Sequence, residues 1–377
     1  MKTLNVMLKP ASSLCNMRCL YCFYADEAEK RAVPSYGMMT EETADTIIDR
    51  VSQTLLAGDA VQYIFQGGEP TVRGLPFFER FAERAMARED LRVSFSLQTN
   101  GLLLDDAFCD FFLKYNVLVG VSLDLLPECH DKARPDAKGE GTYTRVCEAI
   151  SLLKRRGVPF NILCTLTDAV AARPKQVWQR LLRLGVEYVQ FTPCLGGEDG
   201  APSYGALSPS LFADFYIRLF DLWYDDYKKG RVRSVKLFDD IVNLLILGRP
   251  TACGMDGVCR PQLVIEADGS AYPCDFYCTD AYRLGSIHEG IPALITSEVW
   301  RSFSTRERVR PTLCKGCRYA RFCGGGCPKM QSEVYVLSDA TACGYAKFLD
   351  ACGARLRALA ENAKKRCFGA NKKGVKK

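Results

Sequence analysis

Short apolar segments alternate with amphipathic segments along the first half of the chain. The apolar segments are rich in β-branched and aromatic residues and nearly continuous in apolar character, which is typical of parallel strands covered on both faces. They predict strands at Leu4–Leu8, Val61–Phe65, Val93–Leu97, Val117–Leu123, Phe160–Leu166 and Tyr188–Thr192. The amphipathic segments predict helices at Glu41–Leu56, Pro76–Ala87, Asp105–Tyr115, Thr142–Arg156 and Pro174–Leu184.

The order of these elements indicates the fold class. Each strand after the first follows a helix, which predicts right-handed crossovers and a parallel sheet. Six strands are too few for a complete eight-stranded barrel. We therefore predict an α/β fold with a partial (β/α)6 TIM-like barrel, whose functional residues lie at the carboxyl ends of the strands.

The pattern changes after residue 195. Two further helices are predicted, at 208–229 and at Val235–Leu247, and beyond them the periodicity weakens and cysteines crowd. Leu263–Ile265 and Ala271–Tyr272 are joined through Asp268-Gly269 and predict a β-hairpin.

The positive net charge belongs to the C-terminal tail. Residues 364–377 carry seven Lys or Arg and no acid, and removing these seven from the net charge of +6 leaves −1. We therefore predict a barrel domain over 1–230, a cysteine-rich domain with a C-terminal helix over 231–363, and a disordered basic tail over 364–377. A folded body without a basic face is not expected to bind nucleic acid. No apolar segment reaches the length of a membrane span or a secretory leader, so a cytoplasmic protein is expected.

Nineteen cysteines and only two histidines restrict the metal chemistry. A cytoplasmic chain rarely keeps disulfides, so cysteines at this density are expected to bind metal or to react. Sets of thiolates favour zinc or iron–sulfur clusters.

The first motif is Cys15-x3-Cys19-x2-Cys22, in a segment over 10–39 without clear periodicity that directly follows the first strand. Three thiolates bind three irons of a four-iron cluster and leave the fourth iron open for a ligand. A zinc site that lacks its fourth ligand is the alternative. The spacing and its position resemble the radical S-adenosylmethionine (AdoMet) superfamily, and this resemblance implies a [4Fe-4S] cluster that binds AdoMet and cleaves it to a 5′-deoxyadenosyl radical.

A second motif, Gln66-Gly67-Gly68-Glu69-Pro70, ends the second strand and is similar to the superfamily's amino-group motif. Gly68 permits close approach of backbone to a ligand, and the Glu69 carboxylate accepts hydrogen bonds from the methionyl ammonium. The resemblance also implies contacts with AdoMet from Tyr21, Ser122, Arg134 and Leu195. Arg134 is expected to pair with the methionyl carboxylate because its planar fork suits that geometry.

Eight cysteines near the C-terminus are enough for two further four-iron clusters or for two Cys₄ zinc sites. Their spacing resembles the SPASM domain that follows many radical AdoMet cores. That resemblance implies one auxiliary cluster on Cys253, Cys259, Cys274 and Cys327, and another on Cys314, Cys317, Cys323 and Cys343. Three [4Fe-4S] clusters are therefore expected in all.

Longer strings resemble the anaerobic sulfatase-maturating enzymes. These are Cys22-Phe23-Tyr24, Phe160-Asn161-Ile162-Leu163-Cys164, Gln190-Phe191, Cys194-Leu195, Asp221-Leu222-Trp223-Tyr224 and Tyr272-Pro273-Cys274-Asp275-Phe276-Tyr277. The resemblance implies radical oxidation of a cysteine, or a serine, of a sulfatase to Cα-formylglycine (3-oxoalanine). The partners it implies are an unfolded sulfatase segment of the type Cys/Ser-x-Pro-x-Arg and an electron donor such as flavodoxin or ferredoxin.

Asp275 is the expected catalytic base, because it follows a cluster cysteine directly and a base must reach the thiol or hydroxyl proton. Tyr24 and Gln66 are expected to hold the target. The string Ser122-Leu123-Asp124-Leu125-Leu126-Pro127 departs from the usual Ser-x-Asp-Gly-Pro of the family. Two alternatives remain at this point: a SPASM maturase that forms thioether or other crosslinks, and a zinc-binding module without catalysis.

Overall fold

The computed structural model describes residues 2–196, 203–306, 310–335 and 342–369. The chain divides into two compact units, neither of which is continuous in sequence. The first unit comprises the described residues of 1–123, 130–161 and 261–307, and the second comprises those of 124–129, 162–260 and 308–377. The predicted domain boundaries at 230 and 363 stay predictions.

Strands within the described ranges lie close to the predicted positions. Along the chain they are β1 (Thr3–Leu8), β2 (Ala60–Phe65), β3 (Arg92–Thr99), β4 (Leu118–Ser122), β5 (Phe160–Leu166), β6 (Tyr188–Pro193), β7 (Ser234–Val235), β8 (Leu263–Ile265), β9 (Ser270–Tyr272) and β10 (Gly285–Ser286). Strands β7 and β10 were not predicted, since two residues carry no periodicity.

The predicted helices occur in the predicted order, and short helices that were not predicted lie before and between them. They are α1 (Phe23–Glu29), α2 (Glu41–Thr54), α3 (Leu75–Met86), α4 (Asp106–Lys114), α5 (Pro127–Ala133), α6 (Tyr143–Arg156), α7 (Asp168–Ala171), α8 (Pro174–Leu184), α9 (Pro209–Lys228), α10 (Lys236–Leu247), α11 (Ile291–Thr296), α12 (Glu298–Thr305), α13 (Ala320–Cys323) and α14 (Gly344–Gly369). Thr40 caps the amino end of α2. Its hydroxyl accepts a hydrogen bond from the Thr43 amide, which has no carbonyl partner within the helix.

Segment 10–39, in which no helix was predicted, contains α1. Its seven residues are too few to show a helical period. Tyr24 of α1 packs in an apolar cluster with Met7, Val264 and Tyr272. Tertiary packing, rather than local propensity, therefore stabilises this helix.

The sheet of the first unit runs in the order β10-β9-β8-β1-β2-β3-β4. The strands from β8 to β4 are parallel, which confirms the predicted parallel sheet, and β8-β9-β10 is antiparallel. Leu8 of β1 pairs with Phe65 of β2 and with Ile265 of β8. The residue that follows each of these three strands therefore lies at one edge of the sheet.

The second unit contains a parallel sheet of β5, β6 and β7. Helices α9, α10 and α14 pack together through aromatic side chains, with the ring centroids of Tyr216 and Phe238 separated by 6.1 Å and those of Tyr216 and Phe348 by 5.9 Å. No helix in the described part of the chain is both long and apolar enough to cross a bilayer.

Candidate active site and cluster-binding cysteines

Three polar side chains meet at the carboxyl edge of the first unit's sheet. Lys9 follows β1, Gln66 follows β2, and Asp275 follows the β8-β9 hairpin. The Lys9 ammonium donates to Oδ1 of Asp275, and Nε2 of Gln66 donates to Oδ2 at 2.8 Å. The side chain of Lys9 is fully buried, whereas that of Asp275 is 13% exposed. The structure therefore brings the predicted base together with Gln66 and leaves part of the Asp275 side chain accessible.

Lys9 was not among the predicted site residues. Burial alone would lower the pKa of its ammonium, but the charge and hydrogen bond of Asp275, together with the charges of Cys278 and Glu266, more than offset this and leave the pKa raised. The Tyr24 ring lies 4.0 Å from Nζ, in a cation–π contact. A lysine directly after an apolar strand was the sequence signal that could have identified it.

Tyr24 is buried next to Lys9 and does not face an open cleft. Its hydroxyl donates to Glu266, the residue after β8, and only 3% of its surface is exposed. Burial raises the pKa of this hydroxyl, and the Glu266 charge adds to the effect. Arg31 donates to Glu266 at 2.8 Å and also to the carbonyl of Cys278. The structure therefore gives the Tyr24 hydroxyl an internal partner, while its predicted contact with the target stays a prediction.

The predicted cluster cysteines of the first unit are close enough to influence one another. Burial, together with the negative charges of Glu69, Cys19 and Cys22, raises the pKa of the Cys15 thiol to about 12. The Met17 amide donates to Cys15 Sγ at 3.4 Å and acts in the opposite sense. Such a set suits an iron–sulfur cluster, because its irons bind deprotonated thiols and offset the repulsion among them.

Gly68 makes a close contact with the cysteine loop, which was not predicted. A Cβ at this position would lie 2.1 Å from the carbonyl oxygen of Leu14. The Gly68 amide donates to the Ser12 carbonyl and the Glu69 amide to the Leu14 carbonyl, both at 2.8 Å. Gly68 therefore fixes the loop that carries Cys15, and its predicted approach to AdoMet stays a prediction.

The Glu69 carboxylate is buried and largely used by the chain itself. Its Oε1 accepts hydrogen bonds from the amide and hydroxyl of Thr71 and from the Thr99 hydroxyl, and its Oε2 accepts one from the Asn100 amide at 2.7 Å. Burial raises its pKa, and the Asn100 amide opposes this shift. Among the described residues Oε2 accepts one hydrogen bond where Oε1 accepts three, so Oε2 keeps an acceptor position for a ligand.

Arg134 lies beside the cysteine loop. Its guanidinium lies 5.2 Å from the ring centre of Tyr21 and donates to Cys19 Sγ at 3.9 Å. The structure therefore brings together two predicted contacts of AdoMet and one cluster cysteine. Ser122 ends β4, where its hydroxyl accepts a hydrogen bond from Gln98 at 3.0 Å. Leu195 belongs to the second unit, where it follows β6.

Four cysteines of the second unit line one cavity, and they are Cys314, Cys317, Cys323 and Cys343. Burial raises the pKa of Cys323, and the three other thiols raise it further. Backbone amides donate to two of these sulfurs, from Tyr319 to Cys317 at 3.4 Å and from Ala346 to Cys343 at 3.5 Å. Amide donors around thiolates are a common setting for iron–sulfur clusters.

A second set in this unit comprises Cys253, Cys259 and Cys327. Burial raises the pKa of Cys327, and Cys253 and Cys259 add to this. A Cβ at Gly254 would lie 2.8 Å from Cβ of Cys327, so the two segments are in contact. Cys274 belongs to the first unit. Within the described ranges, no group of three or more His, Cys, Asp or Glu is arranged to hold a single metal ion.

The chain matches two family models and several known proteins. Residues 10–170 match the radical SAM superfamily, and residues 253–318 match an iron–sulfur cluster-binding domain named SPASM. The chain is 37% identical over 343 residues to a cysteine-type anaerobic sulfatase-maturating enzyme of Clostridium perfringens, covering 88% of this chain and 91% of that one. It is 31% identical over 350 residues to a serine-type enzyme of Bacteroides thetaiotaomicron, covering 87% and 83%.

The fold is also that of a solved structure. It matches native anSMEcpe with bound AdoMet and the Cp18Cys peptide, with a TM-score of 0.86 and 34% identity over 96% of this chain and 100% of that one. The predicted α/β class with a partial TIM-like barrel and a SPASM domain is thereby confirmed.

Proposed function

The chain belongs to the anaerobic sulfatase-maturating enzymes of the radical AdoMet superfamily, and from this premise we propose that it oxidises a cysteine of a sulfatase segment to Cα-formylglycine. The observation that supports this most directly is Asp275, whose carboxylate is anchored through both oxygens and whose side chain is partly exposed. Such a group can receive the proton of a target thiol.

Cysteine is the proposed target residue, because the cysteine-type relatives are more similar to this chain than the serine-type ones. Serine is the second substrate to test. The partner is a sulfatase-derived peptide of the type Cys-x-Pro-x-Arg, presented as an unfolded segment.

Three [4Fe-4S] clusters are proposed. Cys15, Cys19 and Cys22 hold the one that binds AdoMet. The cavity cysteines Cys314, Cys317, Cys323 and Cys343 hold a second, and Cys253, Cys259 and Cys327 contribute to a third, for which Cys274 stays a ligand predicted from the sequence. When bound, the clusters and AdoMet supply the 5′-deoxyadenosyl radical and a route out for one electron.

AdoMet is proposed to lie beside the cysteine loop. Arg134 would pair with its carboxylate, and the acceptor position that remains on Glu69 Oε2 would accept a hydrogen bond from its ammonium. Tyr21 and Ser122 would contact the nucleoside, and Leu195 stays a predicted adenine contact. The guanidinium near Cys19 supports this placement, since it puts the carboxylate partner next to a cluster ligand.

The protein's own contribution to the oxidation is to place and deprotonate the target. Asp275 accepts the thiol proton while the target Cβ loses one hydrogen atom and one electron, which gives a thioaldehyde. Water then replaces sulfur, hydrogen sulfide leaves, and the aldehyde of formylglycine remains. Gln66 holds Oδ2 of Asp275, so it fixes where the base meets the thiol.

We also propose a cytoplasmic location and a low-potential donor such as flavodoxin or ferredoxin. Cluster ligands must remain thiolates rather than disulfides, which favours a reducing compartment.

The experiment is an anaerobic incubation of the reconstituted protein with dithionite, AdoMet and a Cys-x-Pro-x-Arg peptide. Mass spectrometry measures the amount of formylglycine in the peptide, and this amount should equal the amount of 5′-deoxyadenosine formed. Asp275→Asn should abolish the aldehyde while the iron content stays unchanged, and Asp225→Asn, on an exposed ion pair with Lys228, is the control that should keep full activity. 5′-Deoxyadenosine with an unchanged peptide would refute this function and favour another SPASM maturase, and a serine peptide oxidised faster would reverse the target preference.

A further inference from the structure

Lys9 binds Asp275 together with Gln66, but it was not among the predicted site residues. Lys9 is fully buried, although lysine is almost never so unless it is paired. Its amide donates to the Ile265 carbonyl at 2.9 Å, so its backbone is fixed between β1 and β8. Its stem contacts Gly67, where a Cβ would lie 2.9 Å from Lys9 Cδ. The side chain is therefore confined before it reaches Asp275.

The ammonium is confined as well. It faces the Tyr24 ring at 4.0 Å, and the Tyr24 hydroxyl is bound by Glu266, which Arg31 binds in turn. Four buried side chains are thus in contact one after another, and the last of them, Lys9, contacts Asp275. Stability alone is a weak reason for such an arrangement, because apolar residues can often replace a buried ion pair without loss of stability.

Lys9 and Gln66 anchor different oxygens of Asp275 from the ends of two neighbouring strands. Two anchors fix the rotation of the carboxylate about its last bond. Since each oxygen has two acceptor positions, one position remains on each oxygen, and both are held in a fixed direction. A single anchor would leave the carboxylate free to rotate.

We propose that Lys9 is a positioning residue for the oxidation, which acts by holding the Asp275 carboxylate at the orientation that accepts the target's proton. This inference rests on the proposed function. It assigns to Lys9 no contact with the peptide or AdoMet, so it predicts a loss in turnover without a loss in substrate binding.

The test compares Lys9→Met, which keeps the stem and removes the charge, with Lys9→Arg, which keeps a cationic donor. Lys228→Met, at an exposed ion pair, is the matched control. In the peptide assay we expect Lys9→Met to lower kcat at least ~10-fold while the KM of the peptide changes less than ~2-fold, since a misplaced base loses much of a ~10²–10⁴-fold contribution. Lys9→Arg should recover part of the loss, and the control should match the unmodified enzyme.

A second readout separates positioning from folding. With a peptide deuterated at the target Cβ, deuterium should still appear in 5′-deoxyadenosine, while the ratio of 5′-deoxyadenosine to formylglycine rises. In an Asp275→Asn background, Lys9→Met should change deuterium transfer no further, because the two residues act as one unit.

Full kcat in Lys9→Met with its iron content intact would overturn the inference and leave the proposed function standing. A further loss of deuterium transfer in the double variant would also overturn it, since Lys9 would then act on another group. Absence of formylglycine from the unmodified enzyme would instead overturn the proposed function.

Discussion

Gly68→Ala gives a direct test of how the cysteine loop is built. The added Cβ would lie 2.1 Å from the oxygen and 2.7 Å from the carbon of the Leu14 carbonyl, and 2.9 Å from the carbonyl carbon of Ser13. Carbon–oxygen contacts need about 3.3 Å, so the two loops must separate by roughly 1 Å. Because the obstacle is backbone on both sides, no side-chain rotation relieves it.

The cost follows from the contacts that would be lost. The amides of Gly68 and Glu69 both donate across this contact at 2.8 Å, and each bond contributes about 1 kcal/mol. Overpacking adds about 1–3 kcal/mol. The sum, about 3–5 kcal/mol, would act on the loop that carries Cys15. We therefore expect loss of the AdoMet-binding cluster rather than unfolding of the chain.

The assay combines iron analysis with AdoMet cleavage. If three clusters are present, Gly68→Ala should lose roughly a third of the iron, and 5′-deoxyadenosine formation should fall by at least ~10², since 1.4 kcal/mol corresponds to a factor of ten. Gly353→Ala is the control, because nothing lies within 4 Å of its added Cβ in α14. It should keep the iron and be stabilising by up to ~1 kcal/mol. Full iron and full cleavage in Gly68→Ala would refute this account of the loop.

Three further outcomes are expected. Arg134→Met should raise the KM of AdoMet several-fold and leave that of the peptide unchanged in steady-state assays, and an equal rise in both would contradict its placement. Tyr24→Phe should lower the thermal unfolding midpoint because buried Glu266 loses a donor, whereas a pure substrate contact would change only KM. His130 is buried, and its pKa is lowered to about 3, chiefly by burial and then by Arg134. Between pH 6.5 and 3 the unfolded state therefore binds more protons at His130. The contribution of His130 to stability should be fullest above pH 6.5 and fall by about 1.4 kcal/mol per pH unit below it. His130→Gln should weaken this dependence in unfolding midpoints measured at about pH 7.5 and about pH 5.5.

The sequence by itself determined most of the secondary structure. Hydrophobic periodicity is a local property, so strands such as Phe160–Leu166 and helices such as Pro174–Leu184 have the predicted bounds. The spacing of Cys15, Cys19 and Cys22 is also local. Together with the short sequence motifs elsewhere in the chain, this spacing was enough to identify the family to which the chain belongs.

Only the tertiary structure decided which side chains meet. Lys9 and Asp275 are 266 residues apart and become neighbours because β8 pairs in parallel with β1. The hairpin was predicted, but not this pairing, because no local pattern records which strands lie side by side. The same holds for Gly68, whose lack of a side chain is required by the backbone of Leu14. Long-range register therefore positions the proposed base, whereas local sequence provides the strands and cysteines that it connects.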